Sequence, residues 1–315
     1  MNLYEDFTVR TDLADEKEEF LKEKNGESLD GITVKRKKIN GFDVSEMTVI
    51  DKEGEKSSGK PIGKYVTVDI GKIWTSDKKR FSDACGLIAS FIKEFIPNEG
   101  SCMLAALGNK NIIADAVGPL TAENFIVTRH IKEAESEIFY ALNLRDTLCI
   151  IPGVLGNTGM EAAKIIKGAV SESEPSFIIA VDALASRKLS RLATTVQICD
   201  TGITPGSGIN NSRKEISKNT LGIPVIAIGV PTVVDVTTLA SDIVRNTAEK
   251  SGDGKMKDTS SRLINEISLD NAENFFVTPK ETDHIIKDIS KLIGYSINMA
   301  LHDGITEAEI DELIS

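Results

Sequence analysis

The sequence contains few of the residues that most often bind metal ions or form disulfides. Its 315 residues include three histidines and four cysteines. No histidine has a cysteine or histidine partner at the spacing of a zinc ligand pair. The cysteines are far apart and lie mostly in apolar segments, which is typical of buried, reduced packing residues. We therefore expect no metal site and no cofactor.

Long hydrophobic runs are also missing. No apolar stretch approaches the roughly 20 residues that cross a bilayer, and the polar, acidic N-terminus lacks the basic and apolar regions of a signal peptide. The net charge of -11 results from 48 acidic and 37 basic side chains, and an acidic surface repels phosphate backbones. These features favour a cytoplasmic protein that acts neither on a membrane nor directly on nucleic acid.

Several common enzyme motifs are absent as well. The glycine-rich segment 202–208 lacks the phosphate-binding G-x-x-x-x-G-K-[ST] pattern, no G-x-G-x-x-G opens a helix, and no G-x-S-x-G elbow occurs. Asp200-Thr201-Gly202 matches the catalytic loop of pepsin-like proteases. Those all-β enzymes use two such loops, so we interpret this single copy as a turn. We interpret His130 as a structural or surface residue on a helix.

From about residue 80 onward, short apolar segments alternate with helical patterns. Buried strands are predicted at 103–107, 147–154, 177–184, 194–202 and 224–231. Helices are predicted between them, including 79–95 and 121–135, and again over 280–315 with a break near Gly304. This alternation predicts an α/β fold with a mostly parallel sheet flanked by helices. Hairpin-like segments within 13–75 predict a small peripheral β-containing region before this core.

Carboxylates follow two of the predicted strands. Asp115 lies in the loop after the first strand, and Asp182 lies at the end of the third. Ligands of open α/β sheets bind beyond the carboxyl ends of the strands. Two close carboxylates share one proton, so that one acts as an acid and the other as a base, which suits attack of water on an amide. The alternative is that each aspartate caps the following helix, and the pattern alone favours this cap for either residue taken singly.

Eight segments, in order along the chain, carry a resemblance to a known family. They are VRTDLA (9–14), LGNKNIIADAVGP (107–119), VTRH (127–130), PGVLGNTGMEA (152–162), IAVDALASR (179–187), DTGITPGSG (200–208), SRKEISKNTLGIPVIAIGVPTVVD (212–235) and VTPKETD (277–283). Together they resemble the germination protease (spore protease) family of endospore-forming bacteria, and they span nearly the whole chain.

The resemblance implies an aspartic-type endopeptidase with an α/β fold similar to that of the hydrogenase-maturation proteases. Its catalytic aspartates correspond to Asp115 and Asp182, in the segments ADAVGP and AVDALA. The implied substrates are small acid-soluble spore proteins, which are cleaved in the spore core during germination. The implied assembly is a homotetramer, and the location is the cytoplasm of the forespore and spore.

The resemblance also implies a zymogen that removes its own N-terminal propeptide. The family cuts between an acidic residue and a large apolar residue followed by alanine, which here fits a cut between Asp12 and Leu13. We therefore expect residues 1–12 to be a propeptide that occupies the active site as an intramolecular substrate. Residues 13–315 would then form one α/β catalytic domain, with a β-rich subregion over 13–75 and a core over 76–315.

Three further residues are candidates to orient substrate: Asn109, Gly206 and Gly208. The region 251–265 is shorter than expected for longer family members, so substrate access or assembly is expected to differ there. Two rival functions stay open at this point. One is a metal-dependent maturation-type peptidase that uses the same carboxylates. The other is a non-catalytic binding protein in which Asp115 and Asp182 cap helices.

Overall fold

Nine β-strands form one sheet in the computed structural model, which describes residues 10–25, 30–206, 213–251 and 275–314. The strands are β1 (Ile32–Ile39), β2 (Phe42–Val49), β3 (Gly63–Asp69), β4 (Cys102–Ala106), β5 (Thr147–Ile150), β6 (Phe177–Ser186), β7 (Thr195–Cys199), β8 (Val225–Asp235) and β9 (Phe276–Val277). The order across the sheet is β1-β2-β3-β7-β8-β6-β4-β5, and β9 pairs with the far end of β8.

Helices cover this sheet. They are α1 (Ala14–Asn25), α2 (Lys52–Ser58), α3 (Lys78–Phe95), α4 (Val117–Ala122), α5 (Arg129–Ala134), α6 (Ser136–Ala141), α7 (Leu155–Thr158), α8 (Ala162–Ser173), α9 (Lys218–Leu221), α10 (Val236–Ser251), α11 (Thr282–Leu301) and α12 (Glu307–Ile314). The predicted α/β class with flanking helices is confirmed. The predicted break near Gly304 is also confirmed, since it separates α11 from α12.

The prediction of a mostly parallel sheet is wrong, because the sheet is mixed. Only the neighbours β4–β5, β4–β6 and β6–β8 run parallel, whereas β1–β2, β2–β3, β3–β7, β7–β8 and β8–β9 run antiparallel. All five residues of β7 are buried. A strand that is buried on both faces has the same apolar composition whichever way its neighbours run, so composition did not reveal the direction of β7.

The first three strands form an antiparallel edge that joins the rest of the sheet through β3 and β7. A two-residue turn connects β1 to β2, and Asn40 (φ 50°) and Gly41 (φ 80°) both adopt positive φ values. This is the combination that a type I′ hairpin turn requires. The predicted hairpin region therefore continues the main sheet. The division into a propeptide and a single domain, and the likeness to hydrogenase-maturation proteases, stay predictions.

Side chains on the two faces of the sheet enter two separate cores. In β4, Cys102 and Leu104 belong to the larger core with α3 and α11, whereas Met103 and Ala105 belong to a second core with α8. This alternation follows from the period of two in a β-strand. Burial of each large apolar side chain contributes about 1.5–3 kcal/mol, so helices on both faces hold the central strands in place.

The helix predicted over 121–135 is interrupted. The structure has α4 and α5 with a non-helical segment between them, because Thr128 pairs with the start of β5. Its hydroxyl donates to the carbonyl of Arg145, and its backbone N–H donates to the carbonyl of Thr147. His130 is exposed on α5, as predicted. Among the residues that the structure describes, no helix is both long and apolar enough to cross a lipid bilayer.

Candidate active site

A cavity of about 340 Å³ lies at the carboxyl ends of β4 and β6. Asp115 and Asp182 both line it, together with Asp12 from the N-terminal segment. Arg213 and Thr232 also line it. Because β4 and β6 are adjacent and parallel, the loop that follows β4 lies at the same edge as the second half of β6. The parallel pairing therefore brings the two predicted aspartates into one site.

The loop after β4 holds Asp115 in a fixed position. The backbone N–H of Asn109 donates to the carbonyl of Asp115 at 2.9 Å, and the hydroxyl of Thr232 on β8 donates to the carbonyl of Ala114 at 2.6 Å. Gly108 has a φ of 108°, and a Cβ at this position would lie 2.0 Å from the carbonyl oxygen of Asp115. Glycine is thus required where the chain turns back towards Asp115.

Asp182 lies inside β6, which continues to Ser186. Its side chain is 5% exposed, and its Oδ1 accepts a hydrogen bond from the N–H of Ala183 at 3.0 Å. Asp115 ends a short 3₁₀ turn, and the N-cap of α4 is Ala116, which makes no side-chain cap bond. Neither aspartate therefore caps a helix, and the cap interpretation is wrong for both residues.

The two carboxyl groups have different affinities for protons. Burial raises the pKa of Asp115 to about 6, and the N–H of Asn109 and the charge of Arg213 partly oppose this. Burial also raises the pKa of Asp182 well above its usual range, and the charges of Asp115 and Asp12 raise it further. The charge of Asp115 disfavours a second negative charge on Asp182, so the pair favours a singly protonated state.

The segment before α1 is hydrogen-bonded to the end of β6. The backbone N–H of Asp12 donates to the carbonyl of Ala185 at 2.8 Å, and the N–H of Ala185 donates to the carboxylate of Asp12 at 2.9 Å. Arg10 forms an ion pair of 2.9 Å with the fully buried Asp235 at the end of β8. These contacts place Asp12 against the cavity that Asp115 and Asp182 line.

The residues after Asp12 are completely enclosed. Leu13 and Ala14 both have no exposed surface. Ala14 packs in a small apolar cluster formed by Met47, Val49, Tyr65, Cys199 and Ala227. The segment from Asp12 to Ala14 therefore has one carboxylate bound by a backbone amide, one large buried apolar side chain and one small buried side chain.

Two residues that the sequence did not indicate contact this segment. The ammonium of Lys60 donates to the carbonyl of Asp12 at 2.6 Å, and the side-chain amide of Gln197 donates to the same carbonyl at 3.2 Å. The side-chain oxygen of Gln197 also accepts from the N–H of Ala14 at 2.7 Å. No motif marks either residue. Gln197 is, however, the chain's only glutamine, and it lies inside a buried strand. A polar side chain in an apolar segment is the signal by which the sequence could have indicated it.

The remaining residues considered in the sequence analysis lie partly inside and partly outside the cavity. Gly206 lines the cavity, whereas Gly208 and most of 251–265 lie outside the described residues. The side chain of Asn109 accepts from the N–H of Asn111 within its own turn. The carboxylate of Asp200, in the pepsin-like triplet, accepts from the N–H of Lys64 at 2.8 Å, outside the cavity. The turn interpretation of that triplet therefore agrees with its position.

Metal-ligating side chains are dispersed in the part of the chain that the structure describes. There, no group of three or more His, Cys, Asp or Glu side chains is arranged to hold a metal ion. The predicted location of the cysteines agrees with the structure, since Cys85, Cys102 and Cys199 are buried and Cys149 is half-buried, all as free thiols.

Comparison with known proteins gives one consistent result. The sequence model of the germination protease family matches residues 9–258 and 252–313. A germination protease of Caldanaerobacter subterraneus is 38% identical, with 97% of this chain and 98% of that protein covered. Germination proteases of Clostridium perfringens and Bacillus licheniformis are each 37% identical, covering 98% and 96% of this chain and 100% and 95% of those proteins.

Proposed function

The chain belongs to the germination protease family, and from this premise we propose that it is an aspartic-type endopeptidase whose catalytic pair is Asp115 and Asp182. Membership of a peptidase family makes the chain a hydrolase of peptide bonds. The aspartic mechanism is supported by one observation above the others. Two carboxyl groups whose pKa values are both raised by burial line one cavity at the carboxyl ends of parallel strands.

We assign the roles of base and acid from the different pKa shifts of the two groups. Asp115 is the ionised group and takes a proton from the attacking water. Asp182 is the protonated group, and it polarises the scissile carbonyl and then supplies a proton to the leaving amine. Since the two groups titrate as a coupled pair, the roles belong to the singly protonated pair. After the cut, the new carboxylic acid gives its proton to the new amine, so that a carboxylate and an ammonium group are released, and the proton on Asp115 returns to Asp182.

The same cavity supports self-processing. We propose that residues 1–12 are a propeptide and that the chain's first substrate is its own peptide bond between Asp12 and Leu13. Asp12 lines the cavity, while Leu13 and Ala14 are enclosed beside it. The bound segment has the acidic, large apolar and small residues that the family resemblance implies for its substrates.

Family membership supports a proposal for the biological substrates. We propose that the processed enzyme cleaves small acid-soluble spore proteins during germination, that it acts in the cytoplasm of the forespore and spore core, and that it assembles as a homotetramer. The same acidic–apolar–alanine pattern would serve for self-cleavage and for cleavage of spore proteins. An external substrate and the propeptide would place equivalent residues in the same subsites.

The test follows the chain's own cleavage. The full-length protein is incubated between pH 5 and pH 8, and the mass of the products is followed with time. We expect release of residues 1–12 from the wild type and from Asp303→Asn, a matched surface control whose partner is Lys93. Asp115→Asn and Asp182→Asn should remain intact. If either variant is folded and cleaves at a near-normal rate, the aspartic pair is wrong. Loss of cleavage on chelation would instead favour a metal-dependent peptidase.

A further inference from the structure

The carbonyl oxygen of Asp12 accepts hydrogen bonds from two donors outside the aspartate pair. Lys60 and Gln197 both donate to this oxygen. They line a second cavity of about 180 Å³, to which Asp115 and Asp182 do not belong. Asp12 and Leu184 line both cavities. Asp12 therefore contacts both the cavity of the aspartate pair and the cavity of the two hydrogen-bond donors.

Gln197 binds backbone groups on both sides of Leu13. Its amide nitrogen donates to the carbonyl of Asp12, and its amide oxygen accepts from the N–H of Ala14. In an extended chain, the carbonyl of one residue and the N–H of the residue two positions later point to the same side, where a neighbouring strand would pair with them. The side chain of Gln197 takes the place of that strand around Leu13, just before α1 begins at Ala14.

The sheet places Gln197 opposite Asp182. Gln197 pairs with Gly229 on β8, and Gly229 pairs with Asp182 on β6. Paired residues project to the same face of a sheet, and neighbouring strands are about 4.8 Å apart. The Cα atoms of Gln197 and Asp182 are therefore about 10 Å apart on one face. The residue between them is Gly229, and the side chain of Leu184 lies directly over it.

We propose that Lys60 and Gln197 form the oxyanion site of this enzyme, a role that rests on the proposed cleavage after Asp12. As water adds to the carbonyl carbon, Asp115 takes its proton and the electron pair of the C=O bond moves to oxygen. The negative charge that develops there lies within hydrogen-bond distance of an ammonium group and an amide N–H. When the C–N bond breaks, the oxyanion returns to a carbonyl and the amine of Leu13 takes the proton from Asp182.

The arrangement has the features that make such a site effective. The donors are positioned before the reaction begins, and they stabilise charge that is present only in the transition state. Gln197 is 6% exposed and is held within β7. Lys60 is half-buried beside it and supplies a full positive charge. The aspartate pair supplies no positive charge, since Asp182 is neutral when protonated and Asp115 is negative.

The experiment measures the first-order rate of self-cleavage in the full chain. Lys60→Met and Gln197→Met remove one donor each, and each should slow cleavage about 10²- to 10³-fold, as removal of a single oxyanion donor does in other hydrolases. Lys60→Arg keeps the charge and should retain more than a tenth of the wild-type rate. Lys93→Met is the matched control, because its ion pair with Asp303 is on the surface, and it should cleave as the wild type does.

A second measurement separates catalysis from simple anchoring of the propeptide. Hydrogen exchange of residues 11–15 reports whether the segment stays bound in each variant. Slow cleavage with unchanged protection supports the oxyanion site. Cleavage within threefold of the wild type, or a slow rate matched by an equal loss of protection, overturns it. If the wild type itself stays intact, the proposed function fails and this inference fails with it. If the wild type is cleaved and Asp182→Asn is not, the proposed function stands, whatever the Lys60 and Gln197 variants do.

Discussion

Ala185 binds Asp12 through both the main chain and the side chain. The carbonyl of Ala185 accepts from the N–H of Asp12, and the N–H of Ala185 donates to the Asp12 carboxylate. One residue of β6 therefore fixes the path of the N-terminal segment and also selects an acidic side chain. The backbone amide of Ala185 makes this contact without pairing with the catalytic carboxylates.

The first prediction concerns this acidic subsite. Asp12→Ala removes a charged acceptor, and hydrogen bonds to charged groups contribute about 1.5–3 kcal/mol, so self-cleavage should slow by roughly 10- to 100-fold. Asp12→Glu keeps the carboxylate and should cleave faster than the alanine variant. Mass spectrometry of the released peptide gives both rates. Equal rates for Asp12→Ala and the wild type would show that Ala185 does not select the acidic residue.

The second prediction concerns the pocket around Ala14. Ala14→Leu inserts extra methylene groups into a closed apolar cluster, which typically costs about 1–3 kcal/mol. We expect lower thermal stability of the full chain and slower cleavage after Asp12. Ala134→Leu, at an exposed position on α5, is the control and should leave both properties unchanged. Normal cleavage of the Ala14→Leu chain would mean that this pocket sets no size limit.

The third prediction concerns the stability cost of the buried acid. The pKa of Asp182 is raised in the folded state. Its contribution to the free energy of unfolding is therefore fully present below the unfolded pKa of about 3.8. That contribution is lost as the pH rises through the folded pKa. Asp182→Asn is neutral at every pH, and it should therefore be more stable than the wild type at pH 8, with a smaller difference at pH 5. Each kcal/mol gained should raise the melting temperature by roughly 2–4 °C.

Thermal unfolding of both proteins at the two pH values provides the measurement. The variant should be inactive at both, so stability and activity change in opposite directions. An Asp182→Asn protein that melts below the wild type at pH 8 would contradict the assignment of Asp182 as a group destabilised by burial. Asp303→Asn is the control, since its exposed carboxylate is not subject to the same desolvation.

The fourth prediction is the pH profile of cleavage. Asp115 must be ionised to act as the base, and its pKa is about 6, so the rate should fall as the pH drops through about 6. Asp182 must be protonated, so the rate should fall again as the pH rises through its raised pKa. The profile should therefore be bell-shaped. A rate that increases steadily from pH 8 down to pH 4 would show that Asp115 is not the base.

The sequence predicted part of this site because parallel strands place their ends together. Asp115 and Asp182 each follow an apolar segment, and the adjacent parallel pairing of β4 and β6 brings them to one cavity. Lys60 and Gln197 could not be predicted in this way. Gln197 faces Asp182 only because β7 runs antiparallel to β8 with a particular register, and apolar composition contains no information on direction or register.

The sequence did not predict the role of Lys60 for a different reason. It lies in a turn-rich segment with several other lysines, and nothing in its local sequence separates a solvated side chain from one that reaches Asp12, 48 positions earlier in the chain. The same limit applied to the loop of Asp115, where the pattern alone favoured a helix cap. The cap interpretation failed because the helix begins at Val117, after a turn that leaves the carboxylate facing the cavity.

Helix α1 has a consequence for what happens after the cut. Its acidic side chains pair with four basic residues of the body, in the combinations Asp15–Arg191, Glu18–Arg36, Glu19–Lys188 and Glu23–Arg187. If the bond after Asp12 is cut as proposed, none of these pairs is broken, and we expect Leu13 and Ala14 to stay where they are bound. We then expect the newly cut chain to be inhibited by its own product. Cleavage of other proteins should begin after a lag that lasts until α1 dissociates, and salt should shorten the lag by screening the ion pairs.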